Sequence, residues 1–242
     1  MKGRVHIGTS GWHYKHWVGT FYPEGTPQDK QFRYYANIFD TVELNNPFYR
    51  LPAKETFAKW KSDAPKDFLF AVKANRYITH MKKLKAVKKP VDTFLRNASA
   101  LGRKLGPILF QLPPHWKVNA DRFSEFVQML PDDQRYAFEF RDPSWYDSEI
   151  YSILRKHGCA FCIYELAGHR SPIEVTSDFV YVRLHGPGDK YQGKYTTRTL
   201  KTWEHHIREW HHGGKDVFIY FDNDQEGYAA FNAKKLLDLA AK

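Results

Sequence analysis

Seven ionisable side chains stand at the downstream ends of apolar, strand-like runs. They are Glu43 in TVEL, Lys73 after FLFAV, Glu139 and Arg141 in YAFEFR, Arg183 and His185 in VYVRLH, and Asp222 after FIYF. An ionised group in such a run loses its hydration unless it is paired or lines a wet cleft, so each demands a chemical explanation. Together they offer complementary roles. Glu43 and Glu139, partly desolvated, are the candidate general bases, with Lys73 and His185 as acids or electrophiles. Arg141 and Arg183 have the planar fork that grips phosphate or carboxylate. Gln111, Asn45, Asp222 and Asn223 are placed to orient a substrate. Trp12, Tyr14, Trp17, Phe21 and Tyr22 of a first loop over 10–23, together with Phe48, Tyr49 and Trp145, are expected either to form an aromatic wall on which a sugar or a base stacks or to pack on one another and hold a long lid.

The elements that would position these groups follow from pattern. Apolar runs occur at 5–7, 41–44, 68–72, 108–112, 136–140, 160–164, 179–184 and 217–221. Between them lie helical patterns such as KETFAKWKSDA, VDTFLRNASALGRKL, NADRFSEFVQML, SEIYSILRKHG and TLKTWEHHIREWHH. Asn119 and Ser148 are expected to open helices, and Gly158 and Gly213 to follow them. The sixth unit is the exception, because GHRSPIEVTS is too short and irregular for a full helix. Strand–helix alternation on this scale predicts parallel strands with crossover helices. Eight such units ending on a helix predict an α/β fold of TIM (β/α)8 type, as one domain over 1–242.

Strand parity tells which face each residue takes, since successive side chains point to opposite sides. Ala137, Glu139 and Arg141 share one face, as do Tyr181, Arg183 and His185, and Phe218, Tyr220 and Asp222. Leu69, Ala71 and Lys73 form a fourth inward set, and Thr41, Glu43 and Asn45 a fifth. In each, the inward face turns polar near its downstream end. That is the catalytic end of such barrels, built from strand termini and the loops that follow them.

The formal net charge is +10, from 37 Lys and Arg against 27 Asp and Glu. Such an excess favours phosphorylated or polyanionic partners, nucleic acid included. Part of it is the run KKLKAVKK at 82–89, which reads as a solvated helical face or loop. No apolar stretch approaches the ~20 residues of a membrane helix, and the first residues lack a signal-peptide core, so a cytoplasmic protein is expected. Cys159 and Cys162 have C-x-x-C spacing but fall in a strand, where residues three apart face opposite sides; two buried thiols are expected rather than a redox pair. The segment Gly188–Lys194 has Walker A spacing followed by Tyr195 instead of Ser or Thr, so no nucleotide-binding motif is present. As a loop after a late strand it still suits phosphate, with Lys190 and Lys194 available. The segment from Asp222 begins like a calcium loop but lacks its closing acid, since position twelve is Ala233. His205, His206, His211 and His212 fall on a helix away from the strand ends and read as a solvated face, with adventitious metal binding as the alternative.

The ordered segments GTSGWHYKHWVGTFYP, TVELNNPFYRLP, FAVKANRYITH, LGPILFQLPP, FEFRDPSW, YVRLHG and YFDNDQEGYAAFNA resemble those of the YecE-like family, also called domain of unknown function 72. The resemblance runs from Ile7 to about Leu239. It implies a TIM barrel whose reaction is not established, with suggested relationships to sugar isomerases and to DNA-binding barrels of the endonuclease IV type. The chain departs from the family pattern in four places. Pro47 stands where Thr is usual, Asp142-Pro143 replaces a His-containing turn, Glu165-Leu166 replaces Asp-Ser, and Asp222 replaces Asn. The last two make the mouth more acidic, which bears on whether the family's usual ligand is shared.

The resulting expectation is an enzyme of the isomerase, lyase or hydrolase kind, doing acid–base chemistry on a small anionic substrate such as a phosphorylated sugar. A nucleic-acid-binding barrel with or without nuclease activity is the alternative. A metal-dependent isomerase is another, with Glu43, Glu139, His185 and Asp222 as ligand types; three cations in the same cleft disfavour it. No membrane partner is expected, and oligomeric state and substrate are left open by the sequence.

Overall fold

The computed structural model describes residues 3–241. Eight parallel strands form the ring: β1 (Val5–Thr9), β2 (Thr41–Leu44), β3 (Leu69–Lys73), β4 (Leu105–Gln111), β5 (Tyr136–Glu139), β6 (Ala160–Leu166), then, beyond a two-residue strand β7 (His169–Arg170), β8 (Phe179–Leu184) and β9 (Asp216–Phe221). Their order, β1-β9-β8-β6-β5-β4-β3-β2, is that of a TIM barrel, with β7 folding back antiparallel on β6. The expected (β/α)8 architecture in a single domain is therefore observed.

The ring closes between β1 and β2 through contacts sparser than a full ladder. A bridge joins Ser10 to Glu43, and Gly11 N–H donates to Glu43 O at 2.9 Å. Below it the Tyr35 hydroxyl donates to Thr41 O and accepts from Thr9 N–H, each at 2.9 Å, spanning the two strands. Gly8 allows this approach: a β-carbon there would lie 2.4 Å from Thr41 O, inside any real contact.

Parity behaves as the alternation demands. Ala71, Leu109, Ala137, Cys162, Tyr181 and Tyr220 fill the barrel interior, while Val42, Phe70, Phe110, Phe138, Val182 and Ile219 face the helices. The helices are α1 (Gln28–Ala36), a short α2 (Asn46–Tyr49), α3 (Lys54–Asp63), α4 (Lys88–Ala98), α5 (Ala120–Gln128), α6 (Ser148–Lys156), α7 (Thr197–His212) and α8 (Tyr228–Ala240). Asn119 caps α5 by accepting from Arg122 N–H at 3.0 Å. Two boundaries differ from expectation. At α6 the cap is Asp147, which accepts from Glu149 N–H at 2.8 Å, so Ser148 is already helical. The helix expected over 91–105 ends at Ala98; a 3-10 stretch follows and Gly102, at φ 56°, turns the chain into β4. The sixth unit has no helix, as its sequence implies.

No helix of the described residues is long and apolar enough to cross a membrane. Both cysteines are buried free thiols on opposite faces of the ring, Cys159 among the helices and Cys162 inside the barrel. Burial pushes the Cys159 thiol up to about 12 and raises that of Cys162 as well, the reverse of what a redox pair needs.

Candidate functional site

The downstream pole of the barrel has two layers of polar groups. The lower layer is centred on Arg183 of β8, which is fully buried. Its Nε and Nη2 fork Glu43 of β2 at 2.9 and 2.7 Å, and its Nη1 reaches Glu139 of β5 at 2.8 Å. Nη2 also approaches Asp222 at 3.2 Å. Glu43 accepts further bonds from Ser10 Oγ at 2.5 Å and Tyr181 OH at 2.7 Å. Glu139 accepts from Gln111 Nε2 at 2.7 Å and is also bonded by Arg141 Nε. Burial alone would raise the pKa of Glu139, but Arg141 and Arg183 more than reverse this and hold it well below the usual carboxylate range.

His185 completes this layer. Its Nε2 lies 3.0 Å from Arg141 Nη2 and 3.1 Å from Arg183 Nη1. Guanidinium groups only donate, so Nε2 must carry a lone pair and the ring proton sits on Nδ1. Nδ1 lies 3.0 Å from Asp222 Oδ2, off the line of a hydrogen bond, so that contact is chiefly electrostatic. Burial works against ionisation of Asp222, yet His185 and Arg183 beside it hold its carboxyl below the ordinary value.

Above this layer opens a cavity of about 510 Å³. Lys73, Gln111 and Arg141 reach into it from the strand ends; Phe48, Tyr49, Arg76 and His80 come from the loops after β2 and β3. Tyr164, His169, Lys190 and Tyr191 close the far side. Four cations line this space and no carboxylate does. Lys73 Nζ sits 4.1 Å over the Phe48 ring and has no carboxylate partner among the described residues. Burial first, and Arg183 second, push its pKa down to about 8. His80 belongs to a π-helical turn, Tyr77–Met81, with Nδ1 2.9 Å from Thr79 Oγ1. Burial, with Lys73, Arg76 and Arg141 nearby, pushes its pKa down to about 4, so the ring is neutral near pH 7.

The thirteen residues singled out from sequence divide among these places. Lys73, Tyr49, Gln111 and Arg141 line the cavity. Glu43, Glu139, Arg183, His185 and Asp222 meet in the layer below, with the two glutamates and Arg183 fully buried. The expectation that Glu43 and Glu139 act as bases needs correction, because their oxygens are already bonded to guanidinium and hydroxyl groups. So does that of Arg183 as an anion clamp, since its donors are spent within the protein.

Four residues lie elsewhere. Trp145 is withdrawn into the outer core, stacked on Phe140 at 5.1 Å with Nε1 bonded to Trp116 O. Trp12 packs on Phe32 and Trp60. Of the other aromatics of the first loop, Trp17, Phe21 and Tyr22 are buried against one another, and half-buried Tyr14 packs on Trp17 with its hydroxyl bonded to Ser10 O, so these rings pack as a self-supporting loop instead of an open wall. Asn223 is buried and holds the late loop, its Nδ2 bonding Gly193 O at 2.8 Å and Asn232 Oδ1 at 3.0 Å. Asn45 is half-buried outside the cavity, with Oδ1 lacking a partner. Sequence reading missed Arg76, His80, Tyr164, His169 and Tyr191 as cavity residues; of the two lysines it offered for phosphate in the late loop, Lys190 lines the cavity and Lys194 does not.

A metal does not fit the acidic donor set. The lone pairs of Glu43, Glu139 and Asp222 converge on one point, and the Arg183 guanidinium fills it. The late loop holding Lys190 is fastened by Gly193 N–H to Gln225 at 3.1 Å, next to the anchor from Asn223.

Comparison with known proteins agrees with this architecture. Residues 6–242 match the family model described as protein of unknown function DUF72. The chain is 26% identical to the UPF0759 protein YunF of Bacillus subtilis, over 97% of this chain and 94% of that protein. A DUF72 family protein of Thermotoga maritima, TM1631, superposes with TM-score 0.90 at 28% identity, covering 99% of this chain and all of that one. A second, EF0366 of Enterococcus faecalis, shares the fold with TM-score 0.84 at 18% identity, over 98% and 96% of the two chains. With the matched segment spanning nearly the whole barrel, the chain belongs to the DUF72 family, the same family as the YecE-like proteins.

Proposed function

We propose that the cavity binds a small anion and that Lys73 exchanges a proton with it, making the protein an acid–base enzyme. The observation that carries this reading is the charge of the lining: Lys73, Arg76, Arg141 and Lys190 face the space with no carboxylate among the lining residues. In a partly dehydrated cleft such a set attracts and orients phosphate or carboxylate. Lys73 is the group suited to proton transfer, because its depressed pKa leaves part of it unprotonated near neutrality. Neutral His80 and Gln111 then offer hydrogen bonds to a developing oxyanion without adding charge. The Arg183 network acts as a rigid floor that fixes Arg141 and Gln111 through Glu139.

Calorimetric titration with inorganic phosphate and with small sugar phosphates tests the reading. Arg76 and Lys190 are exposed, so Arg76→Ala with Lys190→Ala leaves the floor intact and is expected to weaken binding about 10-fold or more, as for lost charged hydrogen bonds. Absence of millimolar binding by the unaltered protein would overturn the proposal.

A second reading has one specific observation behind it. The basic run 82–89 directly follows the π-helical turn that carries His80, so the cavity rim continues into exposed Lys82, Lys83, Lys85, Lys88 and Lys89. A polyanion such as single-stranded nucleic acid would use both. Its affinity would then fall steeply with salt, with a log–log slope of about −0.7 per phosphate neutralised. A slope near that of inorganic phosphate would reject it.

A further inference from the structure

We propose that Lys73 is a covalent catalyst, forming an imine with the carbonyl carbon of an anionic aldehyde or ketone held in the cavity. This rests on the anion-binding reading above and narrows the substrate to carbonyl compounds that also carry a phosphate or carboxylate. A nucleophilic lysine must be held at a reaction centre, stripped of water and kept out of ion pairs, since a carboxylate partner fixes the proton on nitrogen. Lys73 meets each condition. It ends β3 at the catalytic pole, is 8% exposed, and rests on the Phe48 ring instead of a carboxylate. The three nearby acids are committed to Arg183; their pull on the amine proton is outweighed by burial and by the guanidinium. Burial and the guanidinium beside it favour the free amine, the form that attacks.

The remaining lining groups suit the same step. Arg141, Arg76 and Lys190 would hold the anionic end of the substrate. His80 has Nδ1 engaged by Thr79 and makes no other hydrogen bond among the described residues, so its far nitrogen is available to the carbonyl oxygen. The amine lone pair adds to the carbonyl carbon and the C=O π bond opens. The nitrogen proton passes to oxygen, giving a carbinolamine. That hydroxyl takes one proton from solvent and departs as water while the C=N bond forms. The sum is amine plus carbonyl plus one proton, giving iminium plus water, with no oxidant or reductant required. The iminium then serves as an electron sink for proton abstraction or carbon–carbon cleavage at the adjacent carbon.

The test uses the unaltered protein with pyridoxal phosphate, an aldehyde carrying a phosphate, at substoichiometric concentration near pH 7. Borohydride reduction fixes any imine, and peptide mass mapping locates it. The expected result is an adduct on Lys73 at least about 10-fold above that on any surface lysine, consistent with the larger free-amine fraction of a lysine whose pKa is pushed down to about 8. Inorganic phosphate should suppress the adduct, and Lys73→Arg should remove it while keeping the charge. Labelling spread over surface lysines, with phosphate still bound by calorimetry, would overturn the covalent role and leave anion binding standing. Failure of phosphate both to bind and to protect would overturn the two together.

Discussion

Arg183 and Glu43 meet inside the barrel in a two-pronged ion pair, 2.7 and 2.9 Å, with neither side chain exposed. The pair joins β8 to β2 over the intervening β9 and β1, and Glu139 of β5 completes a three-way tie. Interior polar groups at this pole therefore serve as structure beneath the cationic cavity.

Removal of the central cation should be costly. Arg183→Met leaves Glu43 and Glu139 buried without their main counter-charge, so a loss of about 3–5 kcal/mol is expected. Urea denaturation measures it; a change below about 1 kcal/mol would mean that solvent reaches the network. Double replacement with Glu43→Gln should recover part of the loss, because one of the stranded charges goes too.

Lys73 should make stability depend on alkaline pH. In the unfolded chain its amine holds a proton up to about 10.5, and in the folded protein only to about 8. Between these values the unfolded state binds more protons, so stability rises with pH across that window and the penalty is complete below pH 8. Lys73→Met carries no such penalty. The variant's advantage over the unaltered protein should shrink between pH 8 and 10.5 by on the order of 3 kcal/mol. A pH-independent difference, read from denaturation curves in chloride buffer, would show that the amine is solvated.

His80 should remain neutral across the physiological range. Its pKa near 4 predicts that its ring resonances stay constant from pH 8 down to about 5 in NMR titration, and move only below that. Titration near 6.5 would mean that the ring is well hydrated and that its cationic neighbours lie farther off. Binding of an anion should raise the pKa, by offsetting Lys73, Arg76 and Arg141.

The floor of the site should be indifferent to metals. Because a guanidinium occupies the focus of Glu43, Glu139 and Asp222, dialysis against EDTA followed by zinc or magnesium should leave the melting temperature unchanged within a degree or two. A metal-dependent rise would show that Arg183 can be displaced. Calorimetry on Arg183→Met, where the acids are freed, provides the positive control.

Alternation along β2, β3, β5, β8 and β9 was enough to say which residues turn inward, because the pleat alone dictates it. Depth was not legible. Glu43 and Arg183 lie one level below Lys73 and Arg141 because strand stagger sets the levels, and stagger depends on pairing between distant segments. Loop residues were harder still. Trp145 sits in a 3-10 turn whose Asp142 cap, accepting from Ser144 N–H at 3.0 Å, folds the ring down onto Phe140. His80 depends on a π-helical turn that no spacing rule announces. Arg76 and Tyr191 gain their meaning only from the space they border.

The sparse closure between β1 and β2 carries one more implication. A hoop breathes at its clasp, and here the clasp is a tyrosine hydroxyl, a bridge at Ser10 and the absence of a side chain at Gly8. Ser10 also bonds Glu43, so each fleeting separation of this joint slackens the carboxylate that anchors Arg183. Amide hydrogen exchange should accordingly be quickest, among the eight strands, along the facing edges of β1 and β2. Mechanical integrity of the ring and the electrical poise of its mouth are thus fastened at a single place.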